Sequence, residues 1–466
     1  MAKLPSNAQL VWLRNDLRLN DNPALYHAST AGPVVACFAV CEKQWQEHRD
    51  APAKLGLAQA LLTAWAEDAE KLGIVLKIVH APMFSDAPKA ITALAQEIGA
   101  QGVWWNKEYP LNEMRRDKAV RQACEQADLA VHEYDGDVVL APGTVTNGSG
   151  DMYQVFTPFS KRWRQVVTEA ELSSCPRPGK QTPLKVKGDS IPGFGGEYRA
   201  DLWPAQRDKI QRNLHNFCSE KLAEYSDTRD IPAHRGTSLI SPYLALGALG
   251  IRHCIEQVQK DQGPDGFHGQ WVTELIWREF YRHLMAAKPR LSMGKCFRPD
   301  GEKVQWAKPE YFEDWRQGKT GVPIVDAGMR QLLQTGWMHN RVRMIVAAFL
   351  SKLMLVDWHL GEQHFMAHLI DGDFASNNGG WQWSASVGAD AAPYFRIFNP
   401  YRQAEKFDPN GDYVRKFVPE LQSITDKKIH QPSEQQCRAL GYPLPIINYK
   451  VARSTAMDVF AKAFKG

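Results

Sequence analysis

Short apolar runs alternate with helix-spaced segments through the first third of the chain. Leu10–Leu13, Val34–Val40, Ile74–Val79, Val103–Trp105 and Val131–Tyr134 read as buried strands. Between them, Ala53–Leu72, Pro88–Ile98 and Asn112–Ala127 repeat apolar residues at three and four positions, the period of an amphipathic helix. Strands alternating with helices predict βαβ units and a mostly parallel, doubly wound sheet. The first strand runs into Arg14-Asn-Asp-Leu-Arg18 and no GxGxxG follows it. The fold is therefore of the nucleotide-binding (Rossmann-like) type without the dinucleotide fingerprint. From about Gly136 to Pro204 the pattern breaks down, and residues 172–204 hold five prolines and five glycines, which predicts a long linker. Gly193-Phe-Gly-Gly196 lies in it, follows no strand, and reads as a turn. From 205 onward only helical periodicity remains. The expected organisation is an α/β domain over 8–135, a linker over 136–204 and an all-helical domain over 205–466.

Composition changes this picture in three places. A chain of 466 residues holds two domains or more. Fifteen tryptophans are many, and a buried indole wants a partner for its N–H or a ring to stack on. Through residue 200 there are 22 basic and 23 acidic residues, against 34 and 29 beyond it. The positive excess thus accompanies the Trp-rich part and favours an anionic partner there. Eight cysteines without a CxxC pair suggest neither a zinc site nor a disulfide framework, so no metal is expected and reduced thiols fit a cytosol. Met1–Ser6 lacks an apolar leader, and no apolar run approaches the roughly 18 residues of a membrane span. No membrane partner is expected.

The chemistry concentrates in four stretches. Asp371–Ser386 sets two carboxylates, two adjacent amides and two tryptophans together. On a helix Asn377 and Trp381 share one face while Trp381 and Trp383 point apart, so one indole turns inward beside the amide and the other lines a cavity. Gly379 and Gly380 each cost about 1 kcal/mol in a helix interior and suggest close approach of something flat. In Trp271–Arg282, Glu274, Trp277 and Tyr281 form one stripe with Arg278 beside it, a wall for a planar ligand; a surface Glu274–Arg278 ion pair is the plainer alternative. In Trp337–Met344, Asn340 and Met344 lie at i and i+4. Arg341 and Arg343 diverge, one suited to a phosphate and Arg343 to an acid such as Asp371. In Arg235–Leu244, Ser241 reads as an N-cap with Pro242 at the first helical position, an end suited to a phosphate. No GxSxG, HExxH or Walker A sequence is present, and His364 and His368 read as structural. The residues by themselves point to a helical domain for a planar, phosphorylated cofactor and a nucleic acid.

Taken in order, these motifs resemble the photolyase/cryptochrome flavoproteins, most closely the bacterial class I cyclobutane pyrimidine dimer (CPD) photolyases. The likeness runs from Leu10-Val-Trp-Leu-Arg-Asn-Asp-Leu-Arg-Leu19 to about Asp412 and is densest in Glu274–Arg282, Trp337–Met344 and Asp371–Trp383. It implies FAD folded into a U in the helical domain. Tyr225, Thr237, Ser238 and Ser241 match positions that hold its phosphates and ribityl chain; Trp271, Arg278, Asn340, Arg343, Asp371 and Asp373 match others around it. Asn377 matches the residue beside flavin N5, where a neutral amide tolerates an anionic reduced flavin that an Asp would repel.

The resemblance further implies a carbon–carbon lyase that repairs UV-damaged DNA, single- or double-stranded, by blue-light electron transfer from FADH⁻ to a dimer flipped out of the strand. Glu274 matches the residue that hydrogen-bonds the dimer, Trp277 and Trp383 the walls it packs on, and Met344 the floor. Asn340, Arg341, Arg229 and Gln403 match positions contacting the lesion strand. Trp381, Trp358 and Trp306 match a relay that reduces the flavin. Asn112 and Glu113 match positions binding a methenyltetrahydrofolate (MTHF) antenna, although Ser292-Met293 stands where a Cys-Lys pair is expected, which removes a charged contact. A monomer in the bacterial cytosol or nucleoid is expected. Three rivals remain. A cryptochrome-type photoreceptor is opposed by Asn377 and Glu274, a repair enzyme for (6-4) photoproducts by the lack of paired histidines in Trp337-Met-His-Asn340, and an NAD(P)H reductase by the missing GxGxxG.

Overall fold

The computed structural model describes residues 7–182 and 184–465, so the leader reading of Met1–Ser6 and the linker's Pro183 lie outside it. The chain forms two compact units, one of Met1–Leu222 with Ser238–Ser292 and one of Ala223–Thr237 with Met293–Gly466.

The first unit is built on five parallel strands: β1 (Gln9–Leu13), β2 (Val34–Val40), β3 (Val75–His80), β4 (Gly102–Asn106) and β5 (Ala130–Tyr134), in the order β3-β2-β1-β4-β5. Gln9 of β1 is in register with Val34 on one side and Gly102 on the other, so the first strand is central. Every residue of β1, β2 and β4 is buried, as continuous apolar runs require when both faces are covered. The expectation of five buried strands fails for β3 and β5, whose residues are mostly half-exposed. Each is an edge strand with pairing on one side only. The helices Pro52–Glu70, Ala87–Glu97 and Leu111–Gln126 begin and end within one or two residues of their predicted bounds. A shorter helix, Pro23–Ala31, was not predicted; Asn22 caps it by accepting from Leu25 N at 3.1 Å, with Pro at its first position.

Arg14-Asn-Asp-Leu-Arg18 leaves β1 where the strand order reverses, the place where parallel sheets usually hold ligands. Here its polar groups serve the fold. Arg14 pairs with Asp117 at 3.1 Å and bonds the Asn106 carbonyl, while Arg18 donates to the carbonyls of Asp21, Gly136 and Gly247 at 2.7–3.0 Å.

The segment read as linker is partly regular. Phe156–Val166 is a helix, and Glu169–Leu172 is a short one closed by a Thr168–Glu171 capping box. From there to Arg207 the described residues form no helix or strand. Buried Glu279, on the helix Gln270–Ala287, accepts from the backbone of Val139 (2.8 Å) and Leu140 (2.9 Å) and from the Trp163 indole (2.5 Å), and so pins the start of this segment. Gly193-Phe-Gly-Gly196 is neither turn decoration nor a phosphate loop. Phe194 stacks on Phe38 at 5.8 Å, and a Cβ on Gly195 or Gly196 would strike Gly56 or Pro52 of the helix beneath.

After Pro204 every regular element is helical. Ser241 is not the N-cap foreseen. It is the first residue of a five-residue helix, Ile240 occupies the cap position without a side-chain bond, and Pro242 falls one place later than expected. In the second unit the helices Pro323–Thr335, Asn340–Ala348, Trp358–Met366 and Phe374–Ser384 pack around a core that includes Trp315, Val346, Trp358 and Trp381. In the last helix, Tyr449–Lys465, Ala456 and Phe460 join a smaller cluster with Val304 and Leu355. Among the described residues no helix is long and apolar enough to cross a membrane.

Candidate functional site

In the first unit the relevant side chains line the helix Gln270–Ala287. Its i, i+3, i+4 spacing puts Trp271, Glu274, Trp277, Arg278 and Tyr281 along a common side. The buried indole of Trp271 donates to Ser238 Oγ at 3.2 Å, which brings together two of the predicted cofactor contacts. Glu274 accepts from Gln270 Nε2 at 2.7 Å, one turn earlier. The alternative Glu274–Arg278 pair does not form: Arg278 turns to Asp137, bonding its carbonyl at 2.7 Å and its carboxylate, and to the Leu244 carbonyl at 3.1 Å. Arg282 binds the other oxygen of Asp137, so one carboxylate holds two guanidiniums. Trp277 stacks face to face on Phe156, with centroids 3.6 Å apart and planes at 9°. Nothing in the pattern around Phe156 announced this, because the residue sat in a segment read as linker.

The second unit carries the predicted amide–tryptophan stretch as the helix Phe374–Ser384. Asp373 caps it, accepting from Ser376 N at 2.9 Å. Asp371 receives Arg343 on both oxygens, at 3.0 and 2.8 Å, as the apolar setting of Arg343 suggested. Asn377 is half-buried, and its side-chain NH2 donates to the Glu362 carbonyl at 3.0 Å. A carbonyl only accepts, so the amide orientation is fixed and Oδ1 faces away from Glu362. Next to it Asn378 donates to the Glu362 carboxylate (2.9 Å) and accepts from Gln382 (2.9 Å), and Gln382 in turn accepts from Phe297 N (2.7 Å). Burial pushes the Glu362 carboxyl up from its ordinary range. Among the described residues nothing lies within 4 Å of where a Cβ on Gly380 would sit, outside the helix's own backbone.

Asn340 opens the helix Asn340–Ala348 and is exposed, with Met344 half-buried one turn on. His339 caps that helix through Nδ1, which accepts from Arg341 N at 3.2 Å; burial lowers the ring to about 4. Arg341 forms a two-point pair with Asp230 (3.2 and 2.7 Å) over the Phe407 ring at 4.4 Å. Neighbouring Arg229 lies over the buried Tyr225 ring at 5.5 Å. No signal in the sequence pairs Arg341 with an acid 111 positions away. Thr237 and Gln403 are half-buried, and Gln403 lies on the helix Pro400–Phe407.

The three relay candidates share one hydrophobic core, Trp358 and Trp381 inside it and Trp306 packed at its margin. Trp381 is 2% exposed and meets Phe365 and Trp315 edge-on, at 4.9 and 6.1 Å. Trp383 is half-buried, so the two indoles diverge as the helical spacing predicted. Among the described residues, neither Trp358 nor Trp381 has an acceptor for its indole N–H. Their rings do not stack on one another. The link runs through Gly361, against whose backbone the Trp381 ring lies, on the same helix as Trp358. The backbone beside Trp306 is tied to the residues before Trp358 by Ala307 N to the Leu355 carbonyl, 2.8 Å.

Asn112 and Glu113 open the helix Leu111–Gln126, and both face a residue the sequence reading missed. His48 Nε2 lies 3.0 Å from Asn112 Nδ2, and its Nδ1 is 3.7 Å from Glu113. Burial and the Glu108 carboxylate push Glu113 up to about 7. Ser292 Oγ accepts from Leu111 N at 3.1 Å, and Met293 is 62% exposed.

Comparison with known proteins gives two family matches. Residues 9–179 match the family described as DNA photolyase, and residues 271–462 the FAD binding domain of DNA photolyase. The chain is 40% identical to the deoxyribodipyrimidine photo-lyase of Vibrio cholerae, covering 98% of this chain and 99% of that protein. Its fold matches a bacterial class III photolyase from Agrobacterium tumefaciens with a TM-score of 0.86 at 35% identity, over 100% of this chain and 99% of the other. A Synechocystis cryptochrome matches with the same TM-score at 27% identity, over 98% and 100%.

Proposed function

The chain belongs to the DNA photolyase family, FAD-binding domain included, and from that premise we propose that it repairs cyclobutane pyrimidine dimers in DNA under blue light, as a carbon–carbon lyase. The observation that carries this reading is Asn377, whose amide donates to the Glu362 carbonyl so that its oxygen faces away from Glu362; to that oxygen we assign a cofactor ring N–H as donor. A neutral acceptor there suits an electron-rich cofactor that a carboxylate would repel. When bound, FAD in its reduced form supplies the chemistry: excited by light, it lends one electron to the lesion and takes it back.

The side chains then have the following assignments. Tyr225, Thr237, Ser238 and Ser241 hold the phosphates and ribityl chain, and Trp271, Arg278, Asn340, Arg343, Asp371 and Asp373 complete the cofactor's surroundings. Arg343 is itself held by Asp371, so the start of the Phe374–Ser384 helix is rigid before any ligand arrives. Glu274 hydrogen-bonds the everted dimer and steadies its developing charge. Trp277, Trp383 and Met344 give the dimer apolar walls. Arg229, Arg341, Asn340 and Gln403 take the lesion strand. Arg341 already grips a carboxylate in two-point fashion, and a phosphate fits the same fork. Trp306, Trp358 and Trp381 pass electrons inward from the surface. For Asn112 and Glu113 we propose a folate-type antenna, MTHF, bound without the cationic contact that a Lys in place of Met293 would give. The working form is a monomer in the bacterial cytosol, with DNA affinity that falls as salt rises.

A blue-light repair assay on thymine-dimer DNA, run beside an absorption spectrum of the purified protein, tests the proposal. Light-dependent restoration by a yellow or blue protein supports it. The likeness to a cryptochrome makes photoreception the second reading, and flavin photoreduction without restoration would favour that one. NAD(P)H-driven turnover in darkness would discard both.

A further inference from the structure

His359 follows the middle relay tryptophan and stacks on it, with ring centroids 3.8 Å apart and planes at 28°. Both imidazole nitrogens face acceptors. Nδ1 lies 2.7 Å from the Asp357 carboxylate and Nε2 2.9 Å from the Gly294 carbonyl. A backbone carbonyl cannot donate and an ionised carboxylate cannot either, so both nitrogens must carry hydrogen, and the ring is an imidazolium. Asp357 is held in place for this, because the same carboxylate oxygen caps the helix by accepting from His359 N at 3.0 Å. Glu362 of the same helix also bears on the ring, and its carboxylate is turned to Asn378. The packed loop contributes the Gly294 carbonyl, with Lys295 next to it exposed.

Resting on the relay assignment made above, we propose that His359 is a tuning residue for the tryptophan relay: as an imidazolium on the face of Trp358 it hinders oxidation of that indole, and on losing its proton it releases the hindrance. The step concerned is the transfer of one electron from Trp358 to an oxidised Trp381, which leaves Trp381 neutral and Trp358 a radical cation; Trp306 then supplies one electron to Trp358. A cation over an indole face raises the cost of placing a second positive charge in that ring. The Asp357 carboxylate offsets part of the imidazolium's field but does not change the sign of the effect. Deprotonation takes the His359–Asp357 pair from neutral to net negative, and a negative pair favours the Trp358 cation. Burial works against the charge on His359, but the Asp357 carboxylate and the Gly294 carbonyl outweigh it, so the ring keeps its proton above the usual histidine range. The relay therefore runs slower below that titration and faster above it.

The test uses the FAD-loaded protein and two readouts. The imidazole C–H resonance of His359 is followed by NMR across its titration, and formation of the tryptophan radical is followed by flash photolysis at the same pH values. The natural protein is expected to speed up about fivefold across the NMR midpoint, a conservative figure for one partly solvated charge at this distance. His359→Gln should stay at the faster rate at every pH, and His359→Arg, a permanent cation, at the slower. Rates that remain flat through the midpoint, or an Arg variant as fast as the Gln variant, overturn the proposal. Trp358→Phe separates the two layers of the argument. If it photoreduces at the natural rate, the relay assignment fails and this proposal with it; if it does not photoreduce while the natural protein is flat with pH, this proposal alone fails. Loss of the upfield ring-current shift of the His359 resonance in Trp358→Phe checks the stack independently of any flavin chemistry.

Discussion

The Trp381 ring lies against the backbone of Gly361, so that a Cβ on that glycine would meet the Cη2 and Cζ3 atoms of the indole and, at 2.7 Å, Cδ2 of Leu350. Gly361 stands three residues after Trp358 on one helix, and this missing side chain is what lets the innermost candidate of the relay approach the element that carries the middle one.

Gly361→Ala should therefore be destabilising even though alanine is the better helix former. The helix gains about 1 kcal/mol in propensity. Against it stands an overpacking cost of about 1–3 kcal/mol in a core where neither neighbour has room to move. A net loss of roughly 1 kcal/mol by denaturant titration is expected, with altered tryptophan emission and slower flavin photoreduction. Unchanged emission together with unchanged stability would show that Trp381 has another place to go.

The Arg343–Asp371 pair is a second test. Asp371 is buried and Arg343 partly so, with side-chain exposures of 3% and 24%. Asp371→Asn leaves a guanidinium without its counter-charge and should cost about 3 kcal/mol, the lower end for breaking a buried pair because Arg343 reaches solvent. Arg343→Lys keeps the charge but loses the Nε bond to the Met338 carbonyl, and should cost less. Unfolding midpoints of the two variants, with FAD retained after gel filtration as the second readout, rank them. The reverse order would deny the pair its role.

Glu113 gives a pH signature with a definite sign. In the folded chain it titrates at about 7, against an ordinary value of 4.5. Between those two values the folded state keeps a proton that the unfolded state has released, so stability falls as the pH rises through this window and levels off above it. The full difference is on the order of 3 kcal/mol. Glu113→Gln should abolish that contribution and be more stable than the natural protein at about pH 8, yet nearly equal to it at about pH 4. Parallel stability curves for the two proteins would contradict the half-buried, proton-holding carboxyl.

Trp306 is half-buried at the margin of the core and touches Phe460 edge-on at 6.0 Å. Trp306→Phe keeps the packing and removes the oxidisable ring. Photoreduction of oxidised flavin should slow by more than tenfold, in keeping with a step whose driving force is lost, while repair by chemically reduced protein persists. Photoreduction at the natural rate would take Trp306 out of the relay.

Much of this architecture was legible from residue order. The five strand runs and three long helices of the first unit follow directly from period and length, because β1, β2 and β4 are buried on both faces and carry unbroken apolar runs. The helix Phe374–Ser384 within the Asp371–Ser386 stretch and the divergence of Trp381 and Trp383 follow from helical spacing. Distant pairings were not legible. Phe156 on Trp277, Asp230 with Arg341, Asp137 between Arg278 and Arg282, and His48 beside Glu113 join positions whose local patterns carry no mark of the partner. Gly361 was invisible for the opposite reason: its message is the atom it lacks. Ser241 misled because Ser-Pro normally signals a cap, and here the turn began one residue early at Ile240.

Among the described residues the indole N–H groups of Trp358 and Trp381 face no acceptor. An oxidised indole is a strong acid, yet among the described residues no acceptor lies at either indole N–H to take its proton. A positive hole arriving at either position thus has no chemical resting place and must travel on or turn back. Only at a ring that water can reach does deprotonation make the outcome permanent.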